Sequence, residues 1–419
     1  MTVTMSRLAN GMRVVTDRMD SVETVSIGVW VDVGTRHEPA AINGVAHLLE
    51  HMAFKGTQRR SALDIAAEIE AVGGHVNAYT SREHTAYYAK VLKADVALAV
   101  DILADILQNS IFDANELERE RAVILQEIGQ AQDTPDDIIY DLFQECAYPD
   151  QPMGQPVLGR SEIVKQLDRD SVAGYMHSTY AAPGMLLVAA GNVSHDALVA
   201  AAERSFAALT AHSAAATEPA RYVGGDWREE RELEQVHVLL GFPGFAFADR
   251  DYYAASILST ALGGGMSSRL FQEIREKRGL VYSIYSFSHS YSDGGLFGIY
   301  AGTGEDEASE LMPALTAEIR RLEAGLEPAE LERARAQLKA GLLMSLEGTT
   351  ARCEQQANHM LVFGRPLDPA ELVRHIDAVD EDSVIRVARR LAAAAPTLTA
   401  LGPIGRIEGY DRLVEQLKP

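Results

Sequence analysis

His47, Glu50 and His51 stand together in "GVAHLLEHMAFKGT" (residues 44–57), inside a run of Leu, Met and Phe. On a helix, residues three and four apart share a face, so two imidazoles and a carboxylate project in one direction. Two imidazoles at i and i+4 can grip one zinc ion, and the carboxylate beside them can take a proton from a water held there. The order H-x-x-E-H reverses the zinc-binding H-E-x-x-H pattern. With 12 His in 419 residues, composition alone gives roughly 0.03 chance occurrences. The competing reading is the wet edge of an amphipathic helix.

A catalytic zinc usually takes a third protein ligand and leaves one position for water. The candidates are Glu120 and Glu127 in "ELERERAVILQEIGQ" (116–130), seven residues apart and so stacked on one helical face. A Glu-rich helix is ordinarily just a solvated helix, and an internal comparison decides between the two readings. "NELERERAVILQEI" (115–128) matches "AELERARAQLKAGL" (329–342) at an offset of 214. "VSIGVWVDVG" (25–34) and "LLVAAGNV" (186–193) match "VHVLLGFPGF" (236–245) and "TLTALGPI" (397–404) at an offset of 211, with Gly191 over Gly402. Three matches in the same order imply a duplicated domain. In the second copy Glu120 and Glu127 become Ala334 and Gly341, and His47, Glu50 and His51 become Leu258, Ala261 and Leu262. The framework survives in both copies; the candidate site residues occur together only in the first.

The elements that must position them follow from periodicity. Val25, Ile27, Val29, Val31 and Val33 alternate as in a half-buried strand. Asp95 can cap a helix carrying Val96, Val100, Leu103 and Leu107. Strands such as "HTAYYAKVL" (84–92) precede helices in pairs. The expected fold is therefore α+β: two homologous α/β sandwich domains, each with a largely antiparallel sheet covered by helices. The seam is expected in the Ala-, Ser-, Pro- and Gly-rich stretch before residue 226, giving domains 1–212 and 226–419 joined by a linker at 213–225.

A composition of 47% hydrophobic and 23% charged residues is that of a globular protein. The formal charge of −22 argues against nucleic acid and anionic membranes as partners and favours cationic ligands. No apolar run approaches a membrane span, and the first residues lack an apolar signal core, so a cytoplasmic location is expected. Cys146 and Cys353 suggest neither a disulfide framework nor a thiolate zinc site. "GGGMSSRL" (263–270) lacks the G-K-[ST] ending of a phosphate loop and reads as a glycine turn.

Taken together, "GVAHLLEHMAFKGT", "GGHVNAYTSREHTAYYA", "ERERAVILQEIGQAQDTPDD", "IREKRGLVYSIYS" and "AAGNV" resemble, in order and over essentially the whole chain, the pitrilysin and mitochondrial processing peptidase family of zinc metallopeptidases, the inverzincins, in its short two-domain branch. The resemblance implies a metalloendopeptidase that cleaves peptides or unfolded, presequence-like segments in an enclosed chamber. It implies one zinc per chain on His47, His51 and Glu127, Glu50 as general base, and Glu120 as a supporting carboxylate. It picks out Arg275 and Tyr282, whose guanidinium and phenol can donate to a peptide carbonyl as it becomes an oxyanion. In a short chain that pair is expected to act on a partner subunit's site, in a homodimer; a heterodimer with a divergent subunit is the alternative. The strand around "VNAYT" should take an extended peptide on its edge beside Asn77 and Ala78. Phe54 matches the family's aromatic near the residue after the cut, and Asp137 with Asp141 its receptor for an upstream arginine. Two other classes of protein share part of this pattern. A structural subunit like the core proteins of the respiratory cytochrome reductase often lacks an intact site. The H-x-x-E-H lyase that opens S-ribosylhomocysteine is much shorter and explains neither the duplication nor "IREKRGLVY".

Overall fold

The structure, a computed structural model, describes residues 3–211 and 217–418. Residues 213–216 of the expected linker lie outside the described residues. In the first half the strands are β1 (Val3–Arg7), β2 (Arg13–Arg18), β3 (Thr24–Val31), β4 (His75–Thr80), β5 (Thr85–Leu92) and β6 (Met185–Gly191). Its helices include α1 (Val45–Ala53), α2 (Val96–Gln108), α3 (Ala114–Gln132) and α4 (Pro135–Ala147). The second half contains β7 (Gly225–Glu230), β8 (Val236–Pro243), β9 (Val281–Ser290), β10 (Gly295–Thr303) and β11 (Thr397–Gly402). Its helices include α5 (Tyr252–Gly263), α6 (Pro328–Ser345), α7 (Thr349–Phe363) and α8 (Glu381–Ala392).

One sheet has the order β1-β2-β6-β3-β5-β4 and the other β7-β11-β8-β10-β9. Apart from β1 the two orders are the same. In each, one central strand runs antiparallel to its neighbour on one side and parallel on the other: β6 against β3 and β2, β11 against β8 and β7. The paired strand ends Gly191 and Gly402 both take positive φ, 129° and 120°, and a Cβ at either would lie 2.2 to 2.4 Å from the neighbouring strand's carbonyl oxygen. Only glycine fits there. The fold is two α/β sandwich domains with largely antiparallel sheets, and the repeat is real at the level of topology.

The expected domains 1–212 and 226–419 are contiguous stretches, and the chain's two compact units are each built from three segments. The first unit is residues 1–130, 155–218 and 344–368; the second is 131–154, 219–343 and 369–419. Each half thus lends one helix to the other's unit. In the second unit, Ile139, Phe143 and Ala147 of α4 pack on Leu239, Leu296 and Leu401 of the sheet. Gly241 of β8 makes room for the Phe143 ring, whose nearest atom would lie 2.4 Å from a Cβ there. In the first unit, Cys353, Ala357 and Met360 of α7 pack on Trp30, Leu186 and Val188. For the same reason β3 is not half-buried. Val25, Ile27, Val29 and Val31 face the main core, and Ser26 and Trp30 are covered by α7, with the Ser26 hydroxyl 2.9 Å from that of Thr349. Asp95 stands at the N-cap of α2, but its side chain makes no capping bond among the described residues.

Candidate metal and catalytic site

Helix α1 carries the H-x-x-E-H segment, and its first turn is built with care. Gly44, at φ 95°, starts the helix where a Cβ would lie 2.9 Å from the Gly159 backbone. The buried Glu38 carboxylate accepts from Gly44 N (2.8 Å), Ala46 N (2.7 Å) and Asn43 Nδ2 (2.9 Å). A carboxylate here satisfies orphan amides and complements the positive end of the helix. Burial nevertheless pushes the Glu38 carboxyl up to about 7, against the pull of those three donors. Leu48, Leu49 and Met52 are sunk in the main core, which turns His47, Glu50 and His51 toward α3 and β4.

On α3, Glu127 Oε2 lies 3.7 Å from His47 Nε2 and 3.7 Å from His51 Nε2. One ligand atom from each of the three falls within 4.8 Å of the others. Donors about 2.1 Å from one tetrahedral ion are about 3.4 Å apart, so this His2Glu set fits a zinc-sized ion. Two turns earlier on α3, Glu120 reaches back. Its Oε2 is 2.9 Å from His51 Nδ1, and its Oε1 takes a 2.7 Å ion pair from Lys55. With the proton on Nδ1, the His51 Nε2 lone pair is left facing Glu127. Burial opposes ionisation of Glu120, but hydrogen bonds from Lys55 and His51 hold its carboxyl below the usual range. Burial, and then His51, lower the His47 pKa to about 4, which keeps that imidazole neutral and able to ligate. His47 Nδ1 is buried without a hydrogen-bond partner among the described residues.

Glu50 stands beside this set. Burial raises its pKa, opposed by a hydrogen bond from Thr80. The Thr80 Oγ1 to Glu50 Oε2 distance is 2.6 Å. Thr80 ends β4, the outermost strand of its sheet. Asn77 and Ala78 lie on the same strand, with Ala78 N bonded to Asn77 Oδ1 at 2.8 Å. Phe54 caps the C-terminus of α1, partly buried, its ring 6.3 Å from that of Tyr87. All these residues belong to the first unit. The second unit holds Asp137 and Asp141, on one face of α4, and Arg275 with Tyr282. Burial, then Asp141 and Asp136, push the Asp137 carboxyl up. The Arg275 guanidinium lies 4.5 Å over the Phe271 ring and 5.7 Å from the Tyr282 ring centre, and Tyr282 is 75% exposed.

Three residues that shape the site were not singled out from sequence. Thr80 left a signal, a polar residue on the strand face that Val76 and Ala78 otherwise make apolar. Lys55 follows just beyond the C-terminal end of α1, where a basic residue also complements the helix's negative end. Glu38 precedes the helix start by a few residues, as an N-terminal capping acid would.

A family model described as Insulinase (Peptidase family M16) matches residues 13–161, and one described as Peptidase M16 inactive domain matches residues 166–338. A protein of Rickettsia felis named an uncharacterized zinc protease is 41% identical over 399 residues, spanning 95% of this chain and 97% of its own. A probable mitochondrial-processing peptidase subunit beta of Arabidopsis thaliana is 38% identical over 421 residues, spanning 97% of this chain and 79% of its own. In fold, the chain matches the crystal structure of a protease from Helicobacter pylori with a TM-score of 0.90 at 22% identity, over 96% of this chain and 99% of that one. No helix among the described residues is long and apolar enough to cross a membrane.

Proposed function

Since the chain belongs to peptidase family M16, we propose that it is a zinc-dependent endopeptidase whose general base is Glu50. The observation that carries this reading is the convergence of His47 Nε2, His51 Nε2 and Glu127 Oε2 beside the Glu50 carboxylate. His47, His51 and Glu127 would hold one ion per chain. Zinc suits two imidazoles and a carboxylate best, with manganese or cobalt as the alternatives. Bound there, the ion supplies Lewis acidity, acidifying a water and polarising the scissile carbonyl. Glu50 takes the water's proton and afterwards delivers it to the leaving amine. Glu120 keeps His51 in the tautomer and orientation that ligation needs.

The substrate is an extended peptide added to the outer edge of β4, next to Asn77 and Ala78, with Phe54 meeting the residue after the cut and Asp137 and Asp141 meeting an upstream arginine. Arg275 and Tyr282 donate to the carbonyl oxygen at the site of a second copy of the chain, which makes the working enzyme a homodimer. The test is digestion of a mixed peptide library by purified protein, with chelator-treated protein and Glu50→Gln as controls. Cleavage should vanish in both controls; cleavage surviving both overturns the mechanism.

A further inference from the structure

The strand that would receive the peptide also touches the base. We propose that Thr80 is a positioning residue, whose hydroxyl fixes the Glu50 carboxylate in the orientation from which it takes a proton; this rests on the peptidase reading above. The Thr80 Oγ1 to Glu50 Oε2 distance of 2.6 Å is that of a charge-assisted O–H···O⁻ bond, about 2.5 to 2.7 Å. The hydroxyl engages one carboxylate oxygen, and the Thr80 backbone N–H also donates to the carboxylate. Threonine is stiff at χ1, so its hydroxyl points where the backbone of β4 directs it. Glu50 has three rotatable bonds and nothing in α1 itself to settle its terminal one.

The backbone at Thr80 is in turn held firmly. Thr80 pairs with Thr85 where β4 meets β5. The turn beyond is closed by Ser81 N to His84 O (2.9 Å), and the Ser81 hydroxyl donates to that same carbonyl at 2.7 Å. On the opposite strand face, the Tyr79 hydroxyl donates to the Glu354 carboxylate of α7. It accepts from Trp30 Nε1 at 3.3 Å and lies 3.1 Å from His84 Nε2. The chemistry proposed above uses none of this largely buried polar network. Its placement gives it a purpose: it pins the residue before Thr80 from behind, so that the hydroxyl in front meets Glu50 at one distance. A threonine that merely satisfied its own hydroxyl would need no such backing.

The experiment compares Thr80→Val, which keeps the shape and removes the donor, with Thr80→Ser, which keeps the donor. Misplacing a catalytic group by about an ångström costs on the order of 100-fold. Thr80→Val should therefore lower kcat about 10- to 100-fold, with KM, zinc content and melting temperature close to wild type. Thr80→Ser should recover all but a few-fold of the loss. Loss confined to KM, equal losses in Val and Ser, or full activity in Val would each overturn the proposal. If Val does not fold, Thr80→Ala takes its place. If the wild type hydrolyses no peptide in a chelator-sensitive way, the peptidase reading falls, and the Thr80 proposal is decided by the crystal structure of zinc-loaded Thr80→Val. A Glu50 carboxylate unmoved from its wild-type position overturns it; a displaced or doubly placed carboxylate upholds the positioning role.

Discussion

Glu38→Gln should flatten the protein's stability as a function of pH, because the start of α1 rests on a buried carboxyl whose pKa differs between the folded and unfolded states. Folded, Glu38 is 2% exposed and its pKa is raised from 4.5 to about 7 by burial, in spite of the Ala46, Gly44 and Asn43 donors. Between those values the folded chain binds more protons at this site than the unfolded chain. The stability Glu38 contributes is therefore complete below about pH 4.5 and lost as pH rises through about 7. A shift of this size corresponds to about 3 kcal/mol. In a unit of about 220 residues, each kcal/mol moves the melting midpoint by about 2 to 4 °C, so the site accounts for a fall of about 6 to 12 °C between pH 4.5 and 8. Gln cannot titrate. It sets an amide N–H against backbone N–H donors, which costs about 1 to 3 kcal/mol at every pH. The assay is differential scanning calorimetry of wild type and Glu38→Gln across that range, in chelator so that metal binding does not contribute. Other titrating groups are common to both proteins and cancel in the difference. A Glu38→Gln curve parallel to wild type within about 2 °C, or a wild type that gains stability relative to the variant as pH rises, would refute the reasoning.

Glu120→Gln should weaken zinc binding about 10- to 100-fold, measured by competition with a chromophoric chelator; unchanged affinity would remove Glu120 from the support of His51. Asp251→Asn should destabilise the second unit by about 1.5 to 3 kcal/mol in urea unfolding, because its partners Arg386 and Arg390 are 40% and 44% exposed and stay solvated when the charge is lost. Asp251 is fully buried, and it pairs with Arg386 at 2.7 Å and with Arg390 at 2.6 Å, so a loss under about 1 kcal/mol would count against that reasoning. Arg275→Ala and Glu50→Gln should each be inactive alone. After subunit exchange, their mixture should recover roughly a quarter of wild-type activity, because half the dimers then carry one intact composite site. No recovery from demonstrably exchanged subunits would rule out action in trans.

What could be read from the sequence, and what could not, divides along one physical line. His47, Glu50 and His51 were legible because a helix face repeats every three to four residues and so writes proximity directly into spacing. Glu127 lies 76 residues beyond His51, out of reach of helix spacing, and it stood out only through its loss from the second copy of the repeat and through the family resemblance. Thr80 was not legible as a partner of Glu50, because no periodicity connects the end of an edge strand to a helix 30 residues back. The same blindness hid the burial of Ser26 and Trp30. Their strand alternates as if one face were wet, and the helix that covers that face comes from more than 300 residues later in the chain.

The duplicated scaffold also shows what the site costs the fold. In the second copy, the positions of His47, Glu50 and His51 are taken by Leu258, Ala261 and Leu262, all buried in an apolar core. The same helix can thus be built from apolar side chains alone. In the first copy it carries a buried imidazole with an unpartnered Nδ1 and a carboxyl that burial pushes toward neutrality. Both oppose folding. A polar set that the scaffold does not require, and that lowers the stability of the copy bearing it, is what the proposed chemistry needs. On this argument, replacing His47 by Leu should stabilise the metal-free protein while abolishing hydrolysis, and a metal-free melting point that falls would show that the imidazole serves the fold after all.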